Sequence, residues 1–404
     1  MSELMKKERY RSHLIHAFNG PRALALALAL ALCAVALATA HAQAPAPASG
    51  SRNLLIGEIT PMSGPAATVG TRLHQVNKLW VDDLNRLGGV NGQTLELLTC
   101  NDEARPERAA SCTRDLIDKG VSLLLLNALT AGVRAAQPLL TNGPIALVLT
   151  PNIVPSADSF MFQVSPSEVD LTRAIARWLN AGSARSLAVV AATDASGESA
   201  VGAARQVFPG AGIELKLARI DLRATDASSQ LAAVAAGDVK AIYSAYSGGG
   251  ASVVVKGYHN LELAQPLIVS YANINAAFVR IVRDELPARL LGTSIGALVP
   301  DELPQADARE RARVFARRYQ EVYGEAPDML NLIGKLSVDT AESILRHVTN
   351  PGDARAVKQY LESTPIESLH SIRFAPQNHV GLGLSDVMLV ELKAGRWVKA
   401  GPVQ

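Results

Sequence analysis

The fold is decided near the start of the chain by the stretch Asn53-Leu-Leu-Ile-Gly-Glu-Ile-Thr60. This run is short, apolar and rich in β-branched residues, and Pro61 follows it, so it predicts a buried strand that ends in a loop. A helix is predicted from about Thr71 to Leu87, because apolar residues recur there at spacings of three and four. A second strand is predicted at Leu95 to Thr99. The chain therefore begins as strand, helix, strand.

The same alternation continues through the rest of the chain. Some predicted strands are purely apolar, such as Leu187 to Ala192, and long helices are predicted at Ala308 to Tyr323 and Lys335 to His347. Apolar strands that alternate with helices indicate parallel sheets covered by helices on both faces. With 404 residues the chain is too long for one ordinary core. We interpret it as an α/β protein with two open sheets rather than one barrel.

The first 42 residues have the pattern of a secretory signal peptide. Residues 1–22 carry basic side chains, Ala23 to Ala38 form an uncharged Ala/Leu stretch, and Ala40-His41-Ala42 ends it with small residues. We predict export through the Sec pathway to the periplasm, cleavage near Ala42 and a linker at 43–52. The alternative is a membrane anchor, but the apolar stretch is shorter than the roughly 20 residues that a spanning helix needs.

The charge of the mature chain argues against nucleic-acid binding. The segment 1–42 carries five of the 39 basic and two of the 37 acidic residues, so 34 basic and 35 acidic residues remain. A nearly neutral chain lacks the basic surface that nucleic acids require. We therefore expect no nucleic-acid partner.

Three cysteines bear on the compartment. Cleavage would remove Cys33 and leave Cys100 and Cys112, which form a candidate disulfide in an oxidising compartment. Two free, buried thiols are the alternative. Lipidation at Cys33 is disfavoured, because Leu32 is large for that signal and the apolar stretch continues past the cysteine. We expect no metal site, since this spacing offers too few ligands.

Several motifs resemble the leucine/isoleucine/valine-binding protein family, and they occur in the family's order and spacing between about Asn53 and Leu392. They are Pro61-x-Ser63-Gly64-Pro65, Gly70, Asn85-Arg-Leu-Gly-Gly-Val-Asn-Gly92, Asn101-Asp102-Glu103 with Pro106, Thr150-Pro151, Phe162-Gln-Val-Ser-Pro-Ser167 and Arg317-Arg318-Tyr319 running to Tyr323-Gly324. The resemblance implies a type I periplasmic binding protein with two Rossmann-like lobes, parallel sheets and three hinge crossovers. Lobe 1 would comprise 53–163 and 293–370, and lobe 2 would comprise 164–292 and 371–404.

The resemblance also implies a function. We expect a monomeric substrate-binding component of an ABC importer that closes on a branched-chain amino acid, or on a related small organic acid or amide, and delivers it to a membrane permease. It would need no cofactor and perform no catalysis. A sensory subunit that reports its ligand to a membrane receptor is the alternative. Independently of the family, open parallel sheets bind ligands at the carboxyl ends of their strands.

Matching the family's contacts to this sequence gives a set of expected ligand-binding residues. In the first lobe they are Val69, Thr130, Ala131, Asn152, Ile153 and Val154, and in the second they are Asp194, Ser196, Tyr246 and Tyr271. Thr130 matches the hydroxyl that holds the ligand carboxylate, although it could instead cap a helix. Tyr271 stands in place of the acid that pairs with an α-ammonium, which slightly favours an organic acid or amide over an amino acid. Asp194 is the nearest possible replacement for that acid.

An enzymatic reading has less support. Gly292-Thr-Ser-Ile-Gly296 matches the nucleophile elbow of α/β-hydrolases, but that elbow must open a helix and Pro300 and Pro304 follow here. The histidines show no metal-ligand spacing. We therefore assign no catalytic residues.

Overall fold

The computed structural model describes residues 53–64 and 66–403. The predicted signal peptide at 1–42 and the linker at 43–52 lie outside these residues. No helix in the described ranges is long and apolar enough to cross a membrane.

The first sheet has five parallel strands in the order β2-β1-β3-β4-β5. They are β1 (Leu54–Thr60), β2 (Leu95–Asn101), β3 (Leu123–Leu126), β4 (Ile145–Val148) and β5 (Met161–Gln163).

The second sheet has seven strands in the order β14-β13-β10-β9-β8-β6-β7. They are β6 (Ser186–Ala192), β7 (Glu214–Ile220), β8 (Ile242–Ala245), β9 (Leu267–Val269), β10 (Leu290–Ile295), β13 (Val387–Lys393) and β14 (Arg396–Lys399). Strands β6 to β10 are parallel, and β13 and β14 extend the sheet in antiparallel fashion. A small antiparallel pair comprises β11 (Ile366–Glu367) and β12 (Ser371–Ile372).

The α-helices connect these strands and pack on the sheets. They are α1 (Ala67–Arg86), α2 (Pro106–Asp118), α3 (Thr130–Ala136), α4 (Glu168–Ala181), α5 (Ala195–Val207), α6 (Ser228–Ala235), α7 (Ala251–Asn260), α8 (Ala276–Ile281), α9 (Ala306–Tyr323), α10 (Met329–His347) and α11 (Ala354–Ser363).

Each sheet is covered on both faces, as its apolar strands predict. In β3, Leu123 and Leu125 pack into a core with helices α1, α9, α10 and α11, whereas Leu124 and Leu126 pack against α2 and α3. The residues of β6 alternate in the same way between two cores of the second sheet. Successive side chains of a strand point to opposite faces, so a strand buried on both sides must be apolar throughout.

The segments that connect the two sheets lie close together. After β5 the chain enters α4, and the backbone N–H of Gln163 donates to the carbonyl of His379. The return to the first core follows β10, whose last residue Ile295 packs in that core. The predicted lobe boundary at residue 293 falls inside β10. The residue boundaries of the two lobes stay a prediction.

The structure joins Cys100, in β2, to Cys112, in α2, with an S–S distance of 2.01 Å and a sequence separation of 12. The bond fastens the helix to the strand that precedes it.

We expect protein that has been exported and purified without reductant to have no titratable thiol after denaturation. Uncleaved chain should show one thiol, from Cys33. Closing a loop of this size stabilises by about 3 kcal/mol in the chain-entropy account, so reduction should lower the free energy of unfolding by that order. A Cys100→Ser, Cys112→Ser double variant should be insensitive to reductant. Two titratable thiols in the mature parent would contradict the bond.

Candidate functional site

A small cavity lies where the strand ends of the two sheets meet. Its volume is about 60 Å³, and its lining residues follow β3, β4, β8 and β9 or belong to α1, α5 and α10. They are Val69, Leu73, Asn127, Ala128, Leu129, Thr130, Leu149, Thr150, Asn152, Ser196, Ser247, Tyr271, Ala272, Leu330 and Ile333. The position agrees with the general rule that open parallel sheets bind ligands at the carboxyl ends of their strands.

The hydroxyl of Thr130 connects the two sides of this cavity. Its Oγ1 lies 2.9 Å from Oγ of Ser196, on the second-sheet helix α5, and 3.1 Å from Oγ1 of Thr150. Asn152 donates to the same oxygen from Nδ2 at 3.1 Å. A hydroxyl donates one hydrogen bond and accepts two, so three partners saturate it. A ligand group that binds Thr130 must therefore displace one of them.

Thr130 makes no capping hydrogen bond at the start of α3, where Leu129 occupies the N-cap position. Its side chain is 1% exposed and points to the other polar groups of the cavity. Thr130 therefore does not cap α3 in this structure.

Asn127 is a polar residue at the cavity that sequence reasoning did not select. It directly follows β3 and is 3% exposed, and neither Oδ1 nor Nδ2 has a hydrogen-bond partner in the described part of the chain. Oδ1 of Asn152 is also unpartnered. Its position as a polar residue immediately after an apolar strand could have indicated Asn127 from the sequence.

Five of the ten expected ligand-binding residues line the cavity, and these are Val69, Thr130, Asn152, Ser196 and Tyr271. The other five lie elsewhere in the structure. Val154 is 67% exposed, and Ile153 packs in the core beneath the first sheet. Ala131 is half-buried in the first turn of α3.

Tyr246 and Asp194 also lie away from the cavity, for identifiable reasons. Tyr246 packs in the core of the second sheet and donates from its hydroxyl to the carbonyl of Asp221 at 3.4 Å. Its ring occupies the space that a side chain at Gly250 would fill, since a Cβ there would lie 2.3 Å from the ring. Asp194 caps α5 and accepts from the backbone N–H of Gly197 at 2.7 Å.

The lining residues missed by the sequence include Leu330 and Ile333 of α10. This helix lies far along the chain from the other first-sheet residues of the site. Its apolar stripe predicts a core helix equally well, so no local pattern singled these two residues out.

No Asp, Glu, Lys, Arg or His side chain lines the cavity in the part of the chain that the structure describes. A buried acid beside the cavity is Glu168, at the first position of α4, which accepts from the Tyr243 hydroxyl at 3.3 Å. Burial raises the pKa of Glu168 to about 7. Burial also raises the pKa of Tyr271, with a further contribution from the charge of Glu168. Glu168 thus lies beside the tyrosine that lines the cavity.

The described residues contain no group of three or more His, Cys, Asp or Glu side chains placed to hold a metal ion. Ser294, the serine of the Gly-x-Ser-x-Gly match, is fully buried in β10, and its hydroxyl lies 3.0 Å from the carbonyl oxygen of Ile295 and 3.2 Å from the sulfur of Met329. The strand runs into a short 3₁₀ turn at Gly296–Leu298. The context of a nucleophile elbow is therefore absent at this position.

A larger groove of about 1060 Å³ lies between α1, α9, α10 and α11. Many of its charged side chains are paired with each other, as in Arg318 with Asp83 and Lys335 with Asp339. It contains none of the expected ligand-binding residues and does not lie at the strand ends of either sheet. We therefore assign the candidate site to the smaller cavity.

Two α/β units whose parallel sheets direct their strand ends at one cavity define a two-lobed protein that binds small molecules. The sequence profile of a family described as periplasmic binding protein matches residues 54–396. The chain belongs to the periplasmic binding protein family, with the type I fold, which confirms the resemblance and the fold class predicted from the motifs.

Curated relatives match over a short stretch. A Leu/Ile/Val-binding protein from Rhizobium johnstonii is 28% identical over 101 residues, which cover 24% of this chain and 27% of that protein. A Leu/Ile/Val-binding protein homologue from Brucella melitensis is 27% identical over 101 residues, which cover 24% of this chain and 27% of that protein. The match thus spans about a quarter of the length of these relatives.

Solved structures match over most of the chain. A type 1 periplasmic binding protein from Bordetella pertussis has a TM-score of 0.75 at 20% identity, covering 86% of this chain and 100% of that one. A leucine-binding protein from Thermotoga maritima has a TM-score of 0.74 at 17% identity, covering 86% and 98%. An ABC-transporter solute-binding protein from Rhodopseudomonas palustris, solved with benzoate, has a TM-score of 0.72 at 20% identity, covering 87% and 96%. At these identities the likeness establishes the fold.

The buried carboxyl of Glu168 predicts a specific pH dependence of stability. Its pKa is about 7 in the folded protein, against an ordinary value of 4.5. The unfolded chain therefore releases this proton at lower pH, and the contribution of Glu168 to stability falls as pH rises from about 4.5 to 7. Glu168→Gln removes this pH-dependent loss of stability and keeps a hydrogen-bond acceptor for the Tyr243 hydroxyl. We expect the variant to match the parent near pH 4 and to exceed it by up to about 3 kcal/mol at pH 8.

Urea unfolding of parent and variant at both pH values measures this difference. Because the two proteins differ only at Glu168, the titration of other groups cancels in the comparison. An equal difference in the free energy of unfolding at pH 4 and pH 8 would contradict the shifted pKa.

Proposed function

We propose that this protein is the periplasmic substrate-binding component of an ABC importer and binds a branched-chain amino acid or a related small organic acid or amide. The single observation that carries the proposal is the contact of Thr130 with Ser196 at 2.9 Å, which joins a strand-end loop of the first sheet to a helix of the second. A ligand in this cavity touches both lobes, so binding and closure are coupled.

The size of the cavity supports the proposed lobe closure. A volume of about 60 Å³ is well below the roughly 300–1,000 Å³ of common small-molecule pockets. A ligand of amino-acid size enters only if the lobes separate and is held when they close on it. A ligand that makes its full set of contacts only in the closed form shifts the equilibrium toward that form. The closed form is then the signal that a membrane permease reads.

The lining supports a ligand with a polar head and an apolar body. Polar atoms come from Thr130, Thr150, Asn127, Asn152, Ser196, Ser247 and Tyr271, and apolar surface comes from Val69, Leu73, Leu129, Leu149, Leu330 and Ile333. Related structures bear the names of a leucine-binding protein and of a solute-binding protein solved with benzoate, both of which fit this description. We propose binding by a monomer without catalysis or cofactor.

Export to the periplasm is part of the proposal. It is supported by the signal-peptide pattern at residues 1–42 and by the disulfide between Cys100 and Cys112, since such bonds persist in oxidising compartments. Importer permease and ATPase genes beside the gene for this chain would identify the partner.

Small-angle scattering with and without ligand tests the mechanism. We expect the radius of gyration to fall on addition of the tightest binder found among leucine, isoleucine, valine, benzoate and benzamide. Thr130→Ala removes the hydroxyl that connects the two lobes. Its lost hydrogen bond should weaken binding roughly 10- to 150-fold for a charged ligand group and roughly 2- to 10-fold for a neutral one. Thr130→Ser keeps the hydroxyl and serves as the matched control.

An unchanged radius at saturating ligand would contradict lobe closure. Equal affinity in Thr130→Ala and Thr130→Ser would show that the Thr130 hydroxyl does not contact the ligand, even where closure is observed.

A further inference from the structure

The amide of Asn127 is buried at the cavity without a partner. Its backbone N–H donates to the carbonyl of Ile59 at 2.8 Å, which fixes the residue at the end of β3. Its side chain is 3% exposed, and both Oδ1 and Nδ2 lack a hydrogen-bond partner within the described residues. Burying a polar group without a partner destabilises a protein, so such a side chain in a binding cavity points to a ligand that completes it.

Oδ1 and Nδ2 of Asn127 are together satisfied by a ligand group that offers one hydrogen-bond donor and one acceptor. Nδ2 donates and needs an acceptor, whereas Oδ1 accepts and needs a donor. A primary carboxamide supplies both, its carbonyl oxygen for Nδ2 and its N–H for Oδ1. A carboxylate supplies only acceptors and would set one of its oxygens against Oδ1. An ammonium supplies only donors and would leave Nδ2 without an acceptor.

The surroundings of Asn127 also disfavour a charged ligand group. No ionisable acid or base other than Tyr271 lines the cavity in the described chain, so neither an ammonium nor a carboxylate would find an opposite charge. At the start of α5, next to Ser196, the Asp194 carboxylate already accepts from the Gly197 N–H. That negative charge opposes an anion at the start of α5.

We propose that Asn127 selects the ligand's polar head, and that the ligand is a small uncharged amide with an apolar body rather than a free amino acid or a carboxylate. This inference rests on the proposed function, because it assigns the chemistry of the same cavity. Asn152 lies across the Thr130 hydroxyl, and its free Oδ1 gives the ligand amide a second acceptor for its other N–H.

Matched pairs of compounds test the selection on the mature protein at pH 7.5. Benzamide and benzoate have nearly the same shape, as do isobutyramide and isobutyrate, and leucine is measured beside them as the free amino acid. We expect each uncharged amide to bind at least 10-fold more tightly than its carboxylate, measured by calorimetry. This comparison needs no variant, so it stands even if a substitution at Asn127 prevents folding.

Asn127→Leu then assigns the preference to this side chain. Leucine is close in size to asparagine, and we expect the substitution to lower benzamide affinity at least 10-fold. The ratio of benzamide affinity to benzoate affinity should become smaller, and the melting temperature should stay unchanged or rise. Ser337→Ala is the control, because it removes a buried unpartnered polar group, here a hydroxyl, that does not line the cavity. This variant should keep the parent's ratio of benzamide affinity to benzoate affinity.

The outcomes separate this inference from the proposed function. If carboxylates or leucine bind and contract the protein while the amides do not, the amide inference is wrong and the binding function holds. If Asn127→Leu keeps the parent's ratio, Asn127 does not select the head group. If no compound of either kind binds or changes the radius of gyration, both the inference and the proposed function fail.

Discussion

The saturated hydroxyl of Thr130 is the interaction on which the site depends. Its three partners come from one strand-end loop of the first sheet, through Thr150 and Asn152, and from a helix of the second sheet, through Ser196. Because a hydroxyl has no capacity for a fourth strong partner, a ligand that reaches it must displace one of these three. The same atom connects the two sheets, and it becomes free for a ligand without loss of the Thr150 and Asn152 contacts when the Ser196 contact opens.

The fold supplies this arrangement through the direction of its strands. Both sheets are parallel around the cavity, so the loops that follow β3, β4, β8 and β9 converge on it. No Asp, Glu, Lys, Arg or His side chain of the described residues lines the cavity beside these loops. Glu168 lies beside Tyr271, and burial raises the pKa of Glu168. The Asp194 carboxylate accepts from the Gly197 N–H at the start of α5. What remains at the cavity is a neutral set of hydroxyls and amides among apolar side chains, suited to a ligand that brings no unpaired charge.

Periodicity predicted the elements of the fold well, because buried strands and helix stripes are local patterns. Helix α1 begins at Ala67, a few residues before the predicted start at Thr71, and ends at Arg86, which leaves Leu87 exposed. The site was predicted in part. Tyr246 follows a strand as expected, but the missing side chain at Gly250 makes room for its ring in the core, a packing detail that no local pattern reveals. Leu330 and Ile333 reach the cavity from a distant helix and were likewise beyond prediction.

The central claim is that ligand enters a cleft that opens between Thr130 and Ser196, and a reversible lock at this contact tests it most directly. In a Thr130→Cys, Ser196→Cys double variant, oxidation should join the lobes, since the two side-chain oxygens lie 2.9 Å apart in the parent. The single variants Thr130→Cys and Ser196→Cys, given the same oxidation, control for the loss of each hydroxyl. The account predicts that the oxidised double variant takes up no ligand and that mild reduction restores binding to the level of the single cysteine variants. Equal ligand uptake by the oxidised and reduced forms would contradict it.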